Sequence, residues 1–320
     1  MVLVGPTAVG KSALAVALAR RYQAEGRLAE VVNADSMLVY RGMDIGTAKP
    51  TPAERAGVPH HLLDLLDVTE AATVADFQDL ARSAIADCRA RGVIPVVVGG
   101  SALYVRAVLD DFVFPGTDAA VRSRWESELA AVGPEELHRR LAAHNPAAAA
   151  SIGPANGRRL VRALEVEELT GEPYSASLPE HRYRLPGVVQ IGLRIDRSTL
   201  DARIEARVDA MWAAGFADEV RALADRSPGL REGVTASRAL GYRQLLDHLD
   251  GKLTADQARE QTVAGTRRFA RRQGGWFFRD PRIAWLDWDR SDLVDAALAL
   301  AGPDGEGTGA ALTAQSAMGD

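Results

Sequence analysis

The chain has 320 residues, 47% of them hydrophobic and 25% charged, with a formal net charge of −5. That is enough apolar material for a full core in one large domain or two, and the acidic balance excludes a uniformly basic nucleic-acid binder while leaving room for local basic patches. Its single cysteine, Cys88, excludes an internal disulfide, and no apolar run approaches the roughly 18 residues of a membrane helix.

The first element is an apolar strand, Val2-Leu3-Val4, which runs into Gly5, Pro6, Thr7, Ala8, Val9, Gly10, Lys11 and Ser12. These residues read G-x-x-x-x-G-K-[ST] between a strand and a predicted helix, the context a phosphate-binding loop requires. Backbone N–H groups of such a loop cradle a diphosphate, the lysine neutralises its charge, and the serine hydroxyl can hold Mg²⁺. A ligand-free turn would call for no lysine, and this chain has only three (Lys11, Lys49 and Lys252) among 38 basic residues. Because the strand begins at once, no leader segment is expected.

Val31 to Ala34 predicts a second strand with Asp35 at its carboxyl end, where open α/β sheets bind ligands. A carboxylate beside a diphosphate is costly unless it takes a proton or holds a metal, so Asp35 is the leading catalytic candidate. The plain alternative is a turn or helix-capping aspartate. His60 and His61 make a poor metal pair, since adjacent side chains on an extended segment point apart and no cysteine or third histidine is near. Thr73 to Asp76 has the form of a capping box, and Phe77, Leu80, Ala81, Ala84, Ile85 and Cys88 then repeat at helical spacing up to Gly92. Cys88 on that stripe reads as a buried, inert thiol in a reducing cytoplasm. Val93 to Val98 is a continuous apolar run, as expected of a parallel strand covered on both faces. Strand, helix, strand in this order predicts a doubly wound α/β core of the phosphate-loop NTPase kind.

After Phe114-Pro115-Gly116 the pattern changes, and residues 116–187 are expected to form an inserted helical subdomain, with a simple continuation of the core as the alternative. Residues 118–170 are helical in composition, broken at Gly133-Pro134, Asn145-Pro146 and Gly153-Pro154. The core, 1–115 and 188–300, resumes with a strand at Val188 to Asp196. A long helix follows, with an apolar stripe of Leu200, Ile204, Val208, Met211 and Trp212 and an end at Gly215. A further helix is expected over about 255–275 and a short strand at Ile283 to Leu286. Gly, Ala, Ser and Thr then predict a disordered tail over 301–320.

Common ATPases and GTPases place an aspartate at the end of an apolar strand to position Mg²⁺ and the attacking water. The candidate strand here, Pro95 to Val98, ends in Gly99-Gly100-Ser101, which weakens motor and switch readings and leaves small-molecule kinases open. More specific are ordered blocks elsewhere. Asn33 to Pro50 (NADSMLVYRGMDIGTAKP) closely resembles a signature of the tRNA dimethylallyltransferases, also called tRNA isopentenyltransferases. Pro59 to Asp64, Val98 to Tyr104, Arg162 to Val166, Gly241 to Gln244 and Thr266 to Gln273 match the same family in the right order, so the resemblance covers about residues 1–290.

The resemblance implies transfer of a five-carbon group from dimethylallyl diphosphate to N6 of the adenosine just 3′ of the anticodon, in tRNAs reading codons that begin with U. It implies that the loop Gly5 to Ser12 holds the diphosphate leaving group, with Mg²⁺ on Ser12, and that Asp35 accepts the proton of the adenine amine. Lys11 and an arginine would absorb the charge of the departing diphosphate. Ser101 stands where the family has threonine and is expected to keep its hydroxyl role, a helix-start serine being the alternative. Leu38 replaces a common glutamine. Expected tRNA contacts are Ser36, Met37 and Leu38 beside Asp35, then Ser101, then Arg158, Arg159, Leu160, Val161 and Arg162, then Arg238, Gly241, Tyr242 and Arg243, and finally Arg268 and Arg272. Arg203 and Arg207 share a helix face. Arg207 is the expected diphosphate contact, and a solvated face paired with Asp201 and Glu205 is the alternative. The expected partners are a tRNA anticodon stem-loop and dimethylallyl diphosphate, with no membrane and a monomeric chain. A free-nucleotide prenyltransferase, which would need neither the insertion nor the basic helix, remains the runner-up.

Overall fold

The computed structural model describes residues 1–175 and 180–305. They form two compact units, one of Met1–Asp110 with the chain from Tyr183 onward, the other Asp111–Arg182. The first unit begins β1 (Val2–Val4), α1 (Lys11–Ala24), β2 (Ala29–Asn33), α2 (Pro52–Arg55), β3 (His60–His61), α3 (Val74–Ala90), β4 (Ile94–Gly99), α4 (Ala102–Leu109). The second unit holds α5 (Ala119–Val132), α6 (Pro134–His144), α7 (Pro146–Ile152) and α8 (Gly157–Thr170). The first unit then resumes with β5 (Gln190–Arg194), α9 (Arg197–Ala213), α10 (Phe216–Ala224), α11 (Tyr242–Leu249), α12 (Ala255–Phe277), β6 (Ile283–Asp287) and α13 (Leu293–Ala301).

The six strands are all parallel, in the order β3-β2-β4-β1-β5-β6. Because side chains alternate along a strand, Leu3, Val31, Val96, Val98 and Ile191 pack on one face with α1 and α13. Val2, Val4, Val32 and Val97 pack on the other with Phe77, Ala81 and Ile85 of α3 and Val105, Val108 and Leu109 of α4. Both faces are covered, which is why the strands read as unbroken apolar runs. The order places β4 between β1 and β2. The loops leaving those three strands are therefore neighbours at one edge of the sheet, the usual ligand edge of such folds.

β2 starts two residues before Val31, and it does so with a charged residue in its interior. Glu30 is tolerated because Arg91 donates to both its oxygens at 2.9 and 2.7 Å, and His61 Nε2 lies 2.6 Å away. Those bonds, Arg91 first, hold its carboxyl down at about 2. Cys88 Sγ lies 3.5 Å from Glu30 and 3.7 Å from His61. The expectation that no cysteine is near the histidines therefore fails: β3 pairs beside β2 and carries His61 toward α3. Burial pushes the Cys88 thiol up to about 11, so it is unreactive.

The second unit spans 111–182 rather than 116–187. Its neck is set within the first unit by an antiparallel bridge between Asp110 and Tyr183 and by the Arg184 N–H donating to the Leu109 carbonyl at 2.8 Å. Buried Asp110 is gripped there by Arg106 at 2.9 Å and Arg282 at 2.6 Å. α6 and α7 both open on a proline at their first position, where its missing N–H costs nothing, so the helix breaks fall at the Gly-Pro and Asn-Pro pairs. Leu137, Leu141, Ile152, Leu160, Val161 and Leu164 form the apolar centre of this unit.

Glu165 is the polar centre of the second unit. It is fully buried and accepts hydrogen bonds from Thr117 at 2.5 Å, Arg122 at 2.7 Å and Arg162 at 2.9 Å. Burial raises its pKa, but the bonds from Arg122, Thr117 and Arg162 outweigh it and hold the carboxyl at about 2 against an ordinary 4.5. On acidification the unfolded chain therefore takes up this proton first. The stabilisation is complete above the unfolded value and is lost as pH falls toward the folded one, roughly 3 kcal/mol in all. Acid titration followed by circular dichroism should show helix lost in that window. Glu165→Gln should be less stable already at neutral pH and flatter below it.

At the far end, residues 302–305 are not free as the tail reading expected. The Gly302 carbonyl accepts from Tyr22, Asp304 pairs with Arg27 at 2.8 Å, and the amino group of Met1 donates to Gly305 at 3.2 Å. The rest of the expected tail, 306–320, lies outside the described residues. No helix among the described residues is long and apolar enough to cross a membrane.

Candidate active site

The loop between β1 and α1 has the backbone of an anion cradle. Gly5 and Gly10 take φ of 139° and 111°, and Ala8 also lies in the left-handed region at 65°. A Cβ on Gly5 would sit 3.1 Å from the Leu193 carbonyl oxygen, so β5 also demands that glycine. Gly10 leaves the first turn of α1 without a side-chain cap, and no acidic residue occupies it. That end is open to an anion, and exposed Ser12 in the same turn is the hydroxyl that could hold Mg²⁺.

Three cations converge on this loop. Lys11 Nζ donates to the carbonyls of Gly5 at 2.9 Å and Pro6 at 2.7 Å. Arg203 Nε donates to the Ala8 carbonyl at 2.8 Å while its guanidinium lies 4.4 Å over the Trp288 ring, and Arg207 reaches Thr7 Oγ1 at 3.4 Å. Burial lowers the Lys11 pKa to about 7, with the Asp35 charge opposing and Arg207 adding to the shift. Arg207 is lowered too, by burial and then by Arg203. Such crowding of positive charge calls for an anion. The solvated pairing of these arginines with Asp201 and Glu205 does not occur, because those carboxylates face Arg197, Arg259 and Arg267 instead.

Asp35 stands at the end of β2, held by an Asn33 turn. Asn33 Oδ1 accepts the Asp35 N–H at 2.8 Å, Asn33 Nδ2 donates to the Asp35 and Leu62 carbonyls, and Asp35 Oδ1 accepts the Met37 N–H at 2.9 Å. One carboxylate oxygen thus fixes the side chain and the other remains for chemistry. Tyr104 is neighbour to it: burial, then the hydroxyl of Tyr40 and the charge of Asp35, push its pKa up to about 12, and Ser36 hydrogen-bonds it. Met37 and Leu38 are half-buried beside them. Ser101 occupies the N-cap position of α4, yet its hydroxyl makes no capping bond. In the Gly99-Gly100 pair before it, Gly99 is a packing requirement against backbone and Gly100 gives room to the Gln273 side chain. A Cβ on Gly99 would lie 2.6 Å from the Ala34 carbonyl oxygen, and one on Gly100 2.5 Å from Gln273 Nε2.

Gln273, a buried residue of α12, was not singled out by sequence reasoning although it closes the Thr266 to Gln273 block. Its Oε1 accepts the Thr7 N–H at 2.8 Å, which ties α12 directly to the phosphate loop. Glu219 was missed for want of any motif. Its carboxylate accepts the N–H groups of Asp44, Ile45 and Gly46 at 2.9, 2.7 and 3.2 Å and the Tyr242 hydroxyl at 2.5 Å. Lys49 is buried in the same segment, donating to Tyr40, Asp44 and Asp64.

The structure places several of the expected RNA contacts in the core or in internal hydrogen bonds. Tyr242 is fully buried, and Gly241, with φ of 87°, packs against Phe216, so both shape the core. Leu160 and Val161 are core residues of the second unit, and Arg162 is spent on the Pro115 and Gly116 carbonyls and Glu165. Arg158 and Arg159 remain exposed. In the first unit Arg238 and Arg243 line a shallow pocket of about 330 Å³ with Arg231, Ser237 and Asp247. Arg268, Arg271 and Arg272 are exposed along α12, whereas Arg267 turns inward to Glu205 at 2.7 Å. No acidic residue lies in the sequence between Glu260 and Asp280, and α9 supplies the carboxylate for Arg267 in space.

The IPP transferase family model matches residues 38–280. This chain belongs to that family. It is 64% identical to a tRNA dimethylallyltransferase of Kineococcus radiotolerans, over 92% of this chain and 93% of that one. With the tRNA dimethylallyltransferase of Thermobifida fusca the identity is 61%, over 93% and 92%. Among solved structures, the tRNA isopentenylpyrophosphate transferase of Bacillus halodurans matches with a TM-score of 0.66 at 41% identity, covering 92% of each chain. A eukaryotic dimethylallyltransferase acting on tRNA matches with a TM-score of 0.76 at 26% identity, over 94% of this chain and 77% of that one. As an IPP transferase the chain carries the phosphate loop, Asp35 and Ser101 at the adjoining ends of β1, β2 and β4.

Proposed function

We propose that this chain transfers the dimethylallyl group of dimethylallyl diphosphate to N6 of the adenosine 3′-adjacent to the anticodon, position 37, of tRNAs reading codons that begin with U. The observation that carries the reading is the pairing of a strongly cationic phosphate loop with a fixed carboxylate, Asp35, across the end of a strand that supplies no water-positioning aspartate. With Gly99-Gly100-Ser101 after β4 in place of that aspartate, the reading assigns the proton that Asp35 accepts to the amine of a second substrate rather than to water.

In the reaction the adenine N6 attacks the allylic carbon, the new C–N bond forms as the C–O bond to diphosphate breaks, and the N6 proton passes to Asp35. Lys11, Arg207 and the amides of the loop hold the leaving diphosphate, and Ser101 offers a hydroxyl beside the reacting groups. Arg203 acts through the loop, by holding the Ala8 carbonyl. Mg²⁺, with Ser12 as its protein ligand, would supply further neutralisation of diphosphate charge. The base is stacked in an anticodon loop and must be extruded to reach Asp35. Exposed Arg158 and Arg159 of the second unit and exposed Arg238, Arg243, Arg268 and Arg272 of the first are assigned to RNA phosphates, with the chain acting as a monomer.

Labelled dimethylallyl diphosphate offered to purified protein with unmodified tRNA and AMP as competing acceptors tests the reading. Label is expected in one adenosine of tRNA and none in AMP. Label in AMP would assign free-nucleotide transfer, and rapid ATP turnover without prenyl transfer would assign a kinase.

A further inference from the structure

The carboxyl half of α12 exposes large aromatic side chains beside its arginines. Phe269 is 36% exposed and Trp276 50%. Burying such rings is worth a kilocalorie or more each, so leaving them in water on one element calls for a reason. Phe269 and Trp276 are seven residues apart and share a helix face, with Arg272 between them and its guanidinium 5.9 Å from the Phe269 ring. The adjoining side of the helix is buried through Ala270, Gln273 and Phe277. Gly275 lies next to Trp276, and a Cβ there would meet nothing within 4 Å. No packing requires that glycine, which costs about 1 kcal/mol in a helix relative to alanine, but its bare backbone lets a flat ligand come close.

We propose that Phe269 and Trp276 form a stacking face for unpaired bases of the RNA substrate, with Arg268 and Arg272 holding the phosphates beside them. This rests on the tRNA reading above and adds to it a second mode of contact that duplex RNA cannot use. Aromatic rings alternating with exposed arginines match the chemistry of a single-stranded loop, whose splayed bases offer π faces and whose backbone offers charge. α12 supplies no anions of its own to these arginines between Glu260 and Asp280.

The two modes differ in their response to salt. Phosphate contacts release counterions, and each steepens the log–log salt dependence of binding by close to one unit, whereas stacking does not. The experiment measures binding of an anticodon-sized RNA stem-loop, and of a fully paired RNA duplex of equal length, across a salt series. Phe269→Ala with Trp276→Ala should weaken stem-loop binding about tenfold or more while leaving the slope and duplex binding unchanged. Trp276→Phe should retain most of the affinity. Arg268→Gln with Arg272→Gln should weaken both RNAs and flatten the slope. Unchanged stem-loop affinity in the folded aromatic variant overturns the proposal, as does an equal loss on the duplex. Failure of the tRNA reading itself would look different: the wild-type protein would transfer no label to tRNA.

Discussion

Asp35→Asn should leave dimethylallyl diphosphate and tRNA bound while single-turnover transfer falls by about 10²- to 10⁴-fold, the range for loss of a general base. The substitution is conservative in the right place. The Asn33 turn fixes the backbone of residue 35, the Met37 N–H fixes the side chain through one oxygen, and an amide oxygen can accept that bond as well. What asparagine cannot do is take the N6 proton, nor can it present a negative charge to Lys11. The second loss should lower the Lys11 pKa further, so residual activity of the variant should fall off at lower pH than in the wild type. Near-normal transfer in a folded variant would remove Asp35 from the mechanism.

Lys11→Ala should lower kcat/KM for dimethylallyl diphosphate by about 10²-fold or more, on the scale of losing a charged donor to a developing oxyanion. The pH dependence gives a sharper signature. Without ligand, burial holds Lys11 at about 7, and a diphosphate stabilises the ammonium and raises that value. Affinity is therefore full below the unliganded pKa and should weaken up to about tenfold per pH unit above it, until the raised pKa of the complex is passed. Calorimetry with inorganic diphosphate in buffers of different ionisation heat should find proton uptake on binding near pH 8, absent in Lys11→Ala. ATP at cellular concentrations should be neither hydrolysed nor required, and tRNA-stimulated ATPase activity would contradict that.

The phosphate loop was legible because its chemistry is local: glycine, lysine and serine at fixed spacing between a strand and a helix need no distant partner. The helix breaks of the second unit were legible for the same reason, since Gly-Pro and Asn-Pro punctuate wherever they occur. The burial of Tyr242, Leu160 and Val161 was not legible because membership of a family block does not distinguish a surface residue from a core residue. The pairing of Arg267 was not legible because its partner sits on α9, more than sixty residues away in sequence. Glu219 and Gln273 were invisible as individuals. Each is an ordinary polar residue on a helix, made special only by which backbone N–H groups the fold brings to it.

The hydrogen bond from Thr7 N–H to Gln273 has a thermodynamic meaning. A single amide hydrogen serves one strong acceptor at a time, so a phosphate oxygen that claims it must displace Gln273, and the helix that carries Gln273 also carries Phe269, Arg272 and Trp276. Any ligand free energy spent on moving that side chain is shared between the two ends. If an anion in the loop alters RNA affinity through this contact, RNA alters anion affinity by the same factor, whichever arrives first. The strength of that linkage is bounded by one buried hydrogen bond, about 1 kcal/mol, or a few-fold in either binding constant.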